Sequence, residues 1–177
     1  QTAPVRALEI LAKVEVNENG AYAALEPYSG MKMDFMIDFP DAAIGQQSKS
    51  LDLANGSFVN ELSNSRTFCA NSDVNAMRSK GLALGGTLMN ALVVDGENVL
   101  SPGGMRYPDE PVRHKMLDAV GDLALAGSPI IGRYIGRRSG HTATNKLLKK
   151  LFSDPSTFQI IDCDLQMTTC LPGAGPV

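Results

Sequence analysis

The clearest signal in the chain is an alternation. Met31, Met33, Phe35, Ile37 and Phe39 interleave with Lys32, Asp34, Met36 and Asp38. Successive side chains of a strand point to opposite faces, so a period of two predicts a strand with one buried and one wet face. Weaker patterns flank it. Residues 5–16 read as strand, with alternation at Val14 and Val16. Asn17-Glu18-Asn19-Gly20 signals a turn, and residues 21–25 return as a second strand. Pro27-Tyr28-Ser29-Gly30 is the next turn, and residues 48–53 form a further strand. Several such strands in succession predict a mainly antiparallel sheet with one exposed face.

Period 3.6 takes over downstream. Asn55 or Ser57 can cap a helix reaching about Ser65, with Phe58, Val59 and Leu62 on its buried side. Ser72 can cap a short helix through Met77 and Arg78. Residues 82–87 and 91–94 then read as strand, with Asp95-Gly96 as a turn. Residues 67–94 therefore form a strand-helix-strand insertion. Residues 113–125 predict a helix, with Leu117, Val120, Leu123 and Leu125 as its apolar face and Ser128-Pro129 as its stop. A strand at 130–135, a helix at 142–152 with Leu147, Leu148, Leu151 and Phe152 inward, and a closing strand at 157–161 complete the pattern. Pro172-Gly173-Ala174-Gly175-Pro176 favours no regular element. The fold class predicted is α+β: a two-layer sandwich of a mainly antiparallel sheet packed on helices, carrying the small insertion. The domain spans 1–161, followed by a C-terminal tail at 162–177.

Composition narrows the partners. The chain has 177 residues, 44% hydrophobic and 20% charged, which is ordinary for one globular domain. A net charge of −3 gives no electrostatic footprint for nucleic acid. Cys69, Cys163 and Cys170 form no C-x-x-C pair, so neither a disulfide framework nor a structural zinc knot is expected, and a cytoplasmic location fits. No apolar run is long enough for a membrane span. The opening Gln1-Thr2-Ala3-Pro4 has no signal-peptide pattern and reads as a cut or processed end.

Candidate chemistry sits on the 113–125 helix. His114, Asp118 and Asp122 are four residues apart, so each follows the last by about 400° and the three form one polar stripe. An imidazole and a carboxylate at i and i+4 can reach one metal ion, but the same spacing also suits a plain helix-stabilising ion pair. The only other histidine, His141, follows Ser139-Gly140, where a loop or cap role is equally open.

Arg113-His114-Lys115-Met116-Leu117-Asp118-Ala119-Val120-Gly121-Asp122, Ser139-Gly140-His141, Asn145-Lys146-Leu147-Leu148, Ser65-Arg66-Thr67-Phe68 and Gly81-Leu82-Ala83-Leu84-Gly85-Gly86 together resemble UDP-3-O-acyl-N-acetylglucosamine deacetylase, the zinc amidase of lipid A biosynthesis. The likeness runs from about Val5 to about Phe158 and covers the second of that family's two domains. It implies that His114 and Asp118 are two of three ligands to Zn2+. It implies that His141 stabilises the tetrahedral oxyanion and protonates the leaving amine, with Asp122 holding its ring. Thr67 would donate to the oxyanion, Phe68 would pack on the sugar, and Lys115 would contact the nucleotide or diphosphate. Val74, Ala83, Thr87, Ala91 and Val93 would line an acyl passage, with Arg78 at its exit. All of these positions also suit a small subdomain's own core.

Cys69 and Ala70 depart from the Gly-Phe common at these positions, and loss of that aromatic alters the expected passage wall. The family's third zinc ligand and general base come from its first domain, as a Glu-His pair. This chain has two histidines, both already assigned. The expectation is a partner first domain, the substrate UDP-3-O-acyl-N-acetylglucosamine, and a chain inactive on its own. Two alternatives stand beside it: a non-catalytic acyl and nucleotide-sugar binding module, or an unrelated metal hydrolase that completes its site by self-association.

Overall fold

The computed structural model describes residues 5–54 and 56–163. Gln1 to Pro4, the expected helix cap Asn55, and the tail from residue 164 lie outside the described residues.

The main sheet holds seven strands: β1 (Val5–Ile10), β2 (Val14–Glu18), β3 (Ala21–Glu26), β4 (Met31–Asp38), β5 (Gln46–Asp52), β9 (Ile130–Arg137) and β10 (Phe158–Cys163). The pairs β1–β10, β2–β3, β3–β9 and β4–β5 are antiparallel, while β9 runs parallel to β1 and β4. The sheet is thus mainly antiparallel, built round β9, to which three strands bond. A second, three-stranded sheet belongs to the insertion. There β6 (Thr67–Ala70) lies parallel to β7 (Ala91–Asp95), which pairs with β8 (Asn98–Val99). Helix α1 (Asn71–Ser79) makes the crossover from β6 to β7.

The other helices are α2 (Glu110–Leu123) and α3 (His141–Ser153). They pack on one face of the main sheet, α2 over β4 and β5 and α3 over β2 and β3. Met31, Met33, Phe35 and Ile37 of β4 share one core cluster with Val112, Met116, Ala119 and Leu123 of α2 and Leu147, Leu148 and Leu151 of α3. The opposite face of β4 is polar, with Asp34 paired to Arg133 of β9. The α+β two-layer class is therefore observed. No helix among the described residues is long and apolar enough to cross a membrane.

Several local expectations change. The run at 5–16 breaks into two strands. Residues 82–87 form turns rather than a strand: Leu82 N–H donates to Met77, Gly86 N–H donates to Ala83, and Ala83 has φ +52°. No neighbouring strand is there to pair with, and the Gly85-Gly86 step favours reversal over extension. The segment at 58–62 is one turn of π-helix, and Ser57 makes no side-chain cap bond. On α2 the buried face is Val112, Met116, Ala119 and Leu123; Leu117 and Val120 lie at its margin and Leu125 is exposed, beyond the helix end. Phe152 is also largely exposed, its ring edge-on to Phe158. The last strand runs on to Cys163 rather than ending at 161.

Two glycines on β9 let the layers close. A Cβ on Gly132 would lie 2.7 Å from Ile10 Cγ1, and one on Gly136 would lie 2.7 Å from the Phe35 ring. Real atoms do not approach so closely, so the Phe35 ring and β9 fit only because position 136 has no side chain. Gly136→Ala is expected to destabilise the domain by about 1–3 kcal/mol through overpacking. That corresponds to a melting-temperature loss of roughly 2–4 °C per kcal/mol for a chain of this size. An unchanged thermal melt would show that Phe35 moves aside freely.

Candidate active site

The site grows from the orientation of α2. Burial of Val112, Met116, Ala119 and Leu123 turns the His114, Asp118 and Asp122 stripe along the edge of the helix, where all three stay partly covered. His114 Nε2 lies 3.3 Å from Asp118 Oδ1. On the far side of the ring, Nδ1 lies 3.2 Å from the backbone oxygen of Ser65. A carbonyl can only accept, so Nδ1 must carry the hydrogen. In the neutral ring that leaves the Nε2 lone pair facing a carboxylate oxygen.

Across that gap either a second ring proton, making a plain ion pair, or a metal cation satisfies both groups. Tetrahedral zinc, with nitrogen and oxygen bonds near 2.0–2.2 Å, holds two donors roughly 3.4 Å apart. His114 and Asp118 thus fit a divalent metal in donor type, tautomer and spacing. They are a pair only: among the described residues no group of three His, Cys, Asp or Glu side chains converges to hold an ion.

Lys115 does not point away from the stripe, as its sequence position suggests. Its ammonium reaches along the helix to Asp118 Oδ2, at 2.8 Å. The aspartate therefore has one oxygen toward His114 and the other toward a lysine.

The second histidine meets the same helix. His141 is the first residue of α3, after the Gly140 cap. Its Nδ1 lies 2.9 and 3.0 Å from the two oxygens of Asp122. The ring itself is largely exposed and Asp122 largely covered, so an anchored carboxylate holds a solvent-facing imidazole. Under the turn leading into α3, buried Tyr134 bonds through its hydroxyl to Ser139 at 3.0 Å and Thr144 at 3.1 Å. Burial pushes the Tyr134 hydroxyl upward in pKa, keeping it neutral.

The insertion forms a partly open cavity of about 420 Å³. Thr67, Phe68, Val74, Arg78, Ala83, Thr87, Ala91 and Val93 all line it, but Ala70, expected in its wall, does not. Cys69, Met77 and Leu88 line it as well. Phe68 stands between cavity and stripe. Its ring is edge-on to His114 at 6.1 Å between centroids, and edge-on to Phe39 at 5.1 Å. A separate apolar cavity of about 430 Å³ lies between Met31, Phe58, Val120 and Pro129; among the described residues no ionisable side chain lines it.

Two contributors leave no direct signal in the sequence. The Ser65 carbonyl orients His114, and a backbone atom leaves no mark in a sequence. Glu110, one turn before His114, is fully buried on Arg66. The charged start of α2 gave the only hint: Arg113 bonds Asp109 and Glu61, and Lys49 bridges the same two carboxylates.

The structure is thus an open α+β sandwich that carries two histidine–carboxylate pairs on one helix edge, beside a cavity in the insertion. The family model for UDP-3-O-acyl N-acetylglycosamine deacetylase (LpxC) matches residues 1–153, and the chain belongs to that family. It is 42% identical over 164 residues to UDP-3-O-acyl-N-acetylglucosamine deacetylases of Neisseria meningitidis serogroups C and A. The match covers 92% of this chain and 53% of each relative, so the chain spans about half the length of the curated relatives it matches.

The carboxylates at the start of α2 set an acid limit. Burial opposes ionisation of both Asp109 and Glu110, but Arg113 and Arg66 respectively outweigh it and hold both carboxyls below their ordinary range. A depressed folded pKa contributes stability above the unfolded value, 4.5 for Glu110, and loses it as pH falls through the folded value. The melting temperature should therefore fall steadily below about pH 4.5, and fall less steeply in Glu110→Gln. Equal pH slopes for the two proteins would remove Glu110 from the account.

Proposed function

We propose that this chain is the second domain of a zinc-dependent deacetylase that acts in the cytoplasm and removes the N-acetyl group of UDP-3-O-acyl-N-acetylglucosamine in lipid A biosynthesis. One observation carries the reading. Phe68 lines the insertion cavity, and its ring is edge-on to His114, the histidine that pairs with Asp118. A hydrolase acting on an acylated sugar needs a reaction centre next to an apolar slot, and this adjacency supplies it.

His114 and Asp118 would hold the zinc, which when bound polarises the acetyl carbonyl and activates water. His141, steadied by Asp122, would face the developing oxyanion and deliver a proton to the departing sugar amine. The Thr67 hydroxyl would add a hydrogen bond to the same oxygen. Phe68 would pack on the sugar, and the cavity would exclude water from the acyl chain. Lys115 would leave Asp118 for the diphosphate. The remaining ligand and the general base would come from a first domain, and without it the chain would not turn substrate over. Retention of both histidine–carboxylate pairs favours this over a binding module, which needs neither.

Two outcomes test this. Ala91 is nearly buried on β7 and faces the cavity, so Ala91→Trp should fill the slot and abolish binding of acylated substrate analogues while the fold survives. Analogues that bind the variant as well as the parent would mean the acyl chain lies elsewhere. Metal content after dialysis, measured with turnover, should be low and activity absent for the 177-residue chain, with zinc binding restored by adding the family's first domain in trans. Tight stoichiometric zinc and real turnover by the chain alone would overturn the divided site.

A further inference from the structure

Glu110 is wholly buried on the first turn of α2. A carboxylate out of water costs several kcal/mol unless its oxygens are bonded. Both are. Oε1 accepts from the backbone N–H of Arg66 at 2.9 Å and from its Nε at 2.9 Å. Oε2 accepts from Arg66 Nη2 at 3.0 Å and from the backbone N–H of Arg106 at 2.7 Å. The guanidinium also donates from Nη2 to the Gly104 carbonyl at 2.6 Å. Arg106 in turn donates from Nη1 to the backbone and side-chain oxygens of Asn64.

The pair joins two segments that each carry part of the site. Residue 65 offers its carbonyl to His114 and residue 67 lines the cavity, while Arg66 between them is bolted to Glu110. Glu110 and His114 are four residues apart, on successive turns of the same helix face. The segment at 65–67 is thus fastened to α2 at two neighbouring points, once through the ion pair and once through the His114 ring. Besides these two fastenings, the Ser65 N–H donates to the Leu62 carbonyl at 3.0 Å, a bond within its own segment that does not reach α2.

We propose that Glu110 and Arg66 are positioning residues. Their buried pair straps the 65–67 segment to α2, fixes hydrogen on His114 Nδ1, and so keeps the Nε2 lone pair aimed at Asp118. The consequence for a metal rests on the function proposed above; the tautomer does not. Partners that orient a ligand's far nitrogen typically change metal affinity by about 10–100-fold when removed.

The test uses the 177-residue chain, metal-free, with ring-nitrogen NMR on its two histidines. In the parent, His114 should show hydrogen on Nδ1 and a free Nε2. The comparison variant replaces both charges, Arg66→Met with Glu110→Met. Exchanging a buried ion pair for apolar side chains of similar volume often preserves folding, whereas removing one partner strands a charge. The folded double variant should show His114 in mixed tautomers, and zinc titration should shift its ring signals only at about 10–100-fold higher concentration. If the double variant does not fold, Arg66→Lys decides the matter, since it keeps the charge and loses the fork; the same tautomer mixing is expected. A folded variant that keeps hydrogen on Nδ1, or a parent that lacks it, overturns the proposal. Zinc that fails to move His114 in the parent, with the tautomer result as expected, counts against the metal reading alone.

Discussion

The rotation of α2 about its own axis decides most of the site. Val112, Met116, Ala119 and Leu123 must reach the β4 side of the core, and only one helix rotation buries all four. With that fixed, His114, Asp118 and Asp122 lie along the covered edge rather than on the open face. Two partners then arrive from elsewhere, a carbonyl from residue 65 and an imidazole from the start of α3, while Lys115 reaches Asp118 along the helix itself. The apolar contacts do no chemistry, but the polar geometry depends on them.

The same economy places the insertion. Its small sheet begins at Thr67, directly after the segment tied to α2, so the cavity wall and the His114 contact share one stretch of backbone. Phe68 lies at the junction, between Phe39 at the end of the main sheet and the His114 ring. An aromatic ring edge-on to an imidazole restricts the imidazole on that side. Strand β9 serves the other end. Its glycines let β4 and β1 close on it, and the chain leaving it turns over the Tyr134 hydroxyl network into His141.

Much of this was legible in the sequence because it is local. The alternation of 31–39 marks a strand wherever the strand goes, and four-residue spacing puts His114, Asp118 and Asp122 in line on any helix. The family likeness gathered the insertion residues, and they do line one cavity. Turn chemistry was read less well: the glycines at 85 and 86 suggested a flexible strand where the chain reverses.

What the sequence determined by itself was the set of elements, the polar stripe and the residue types that suit a metal, because those depend on neighbours within about one turn. Tertiary structure alone decided which edge of α2 carries the stripe, that Lys115 bends back to Asp118, and that Glu110 is buried. It also decided that Cys69 rather than Ala70 faces the cavity. Each of those turns on what packs across from the residue, and a backbone carbonyl such as that of Ser65 acquires a role only when a distant histidine is brought to face it.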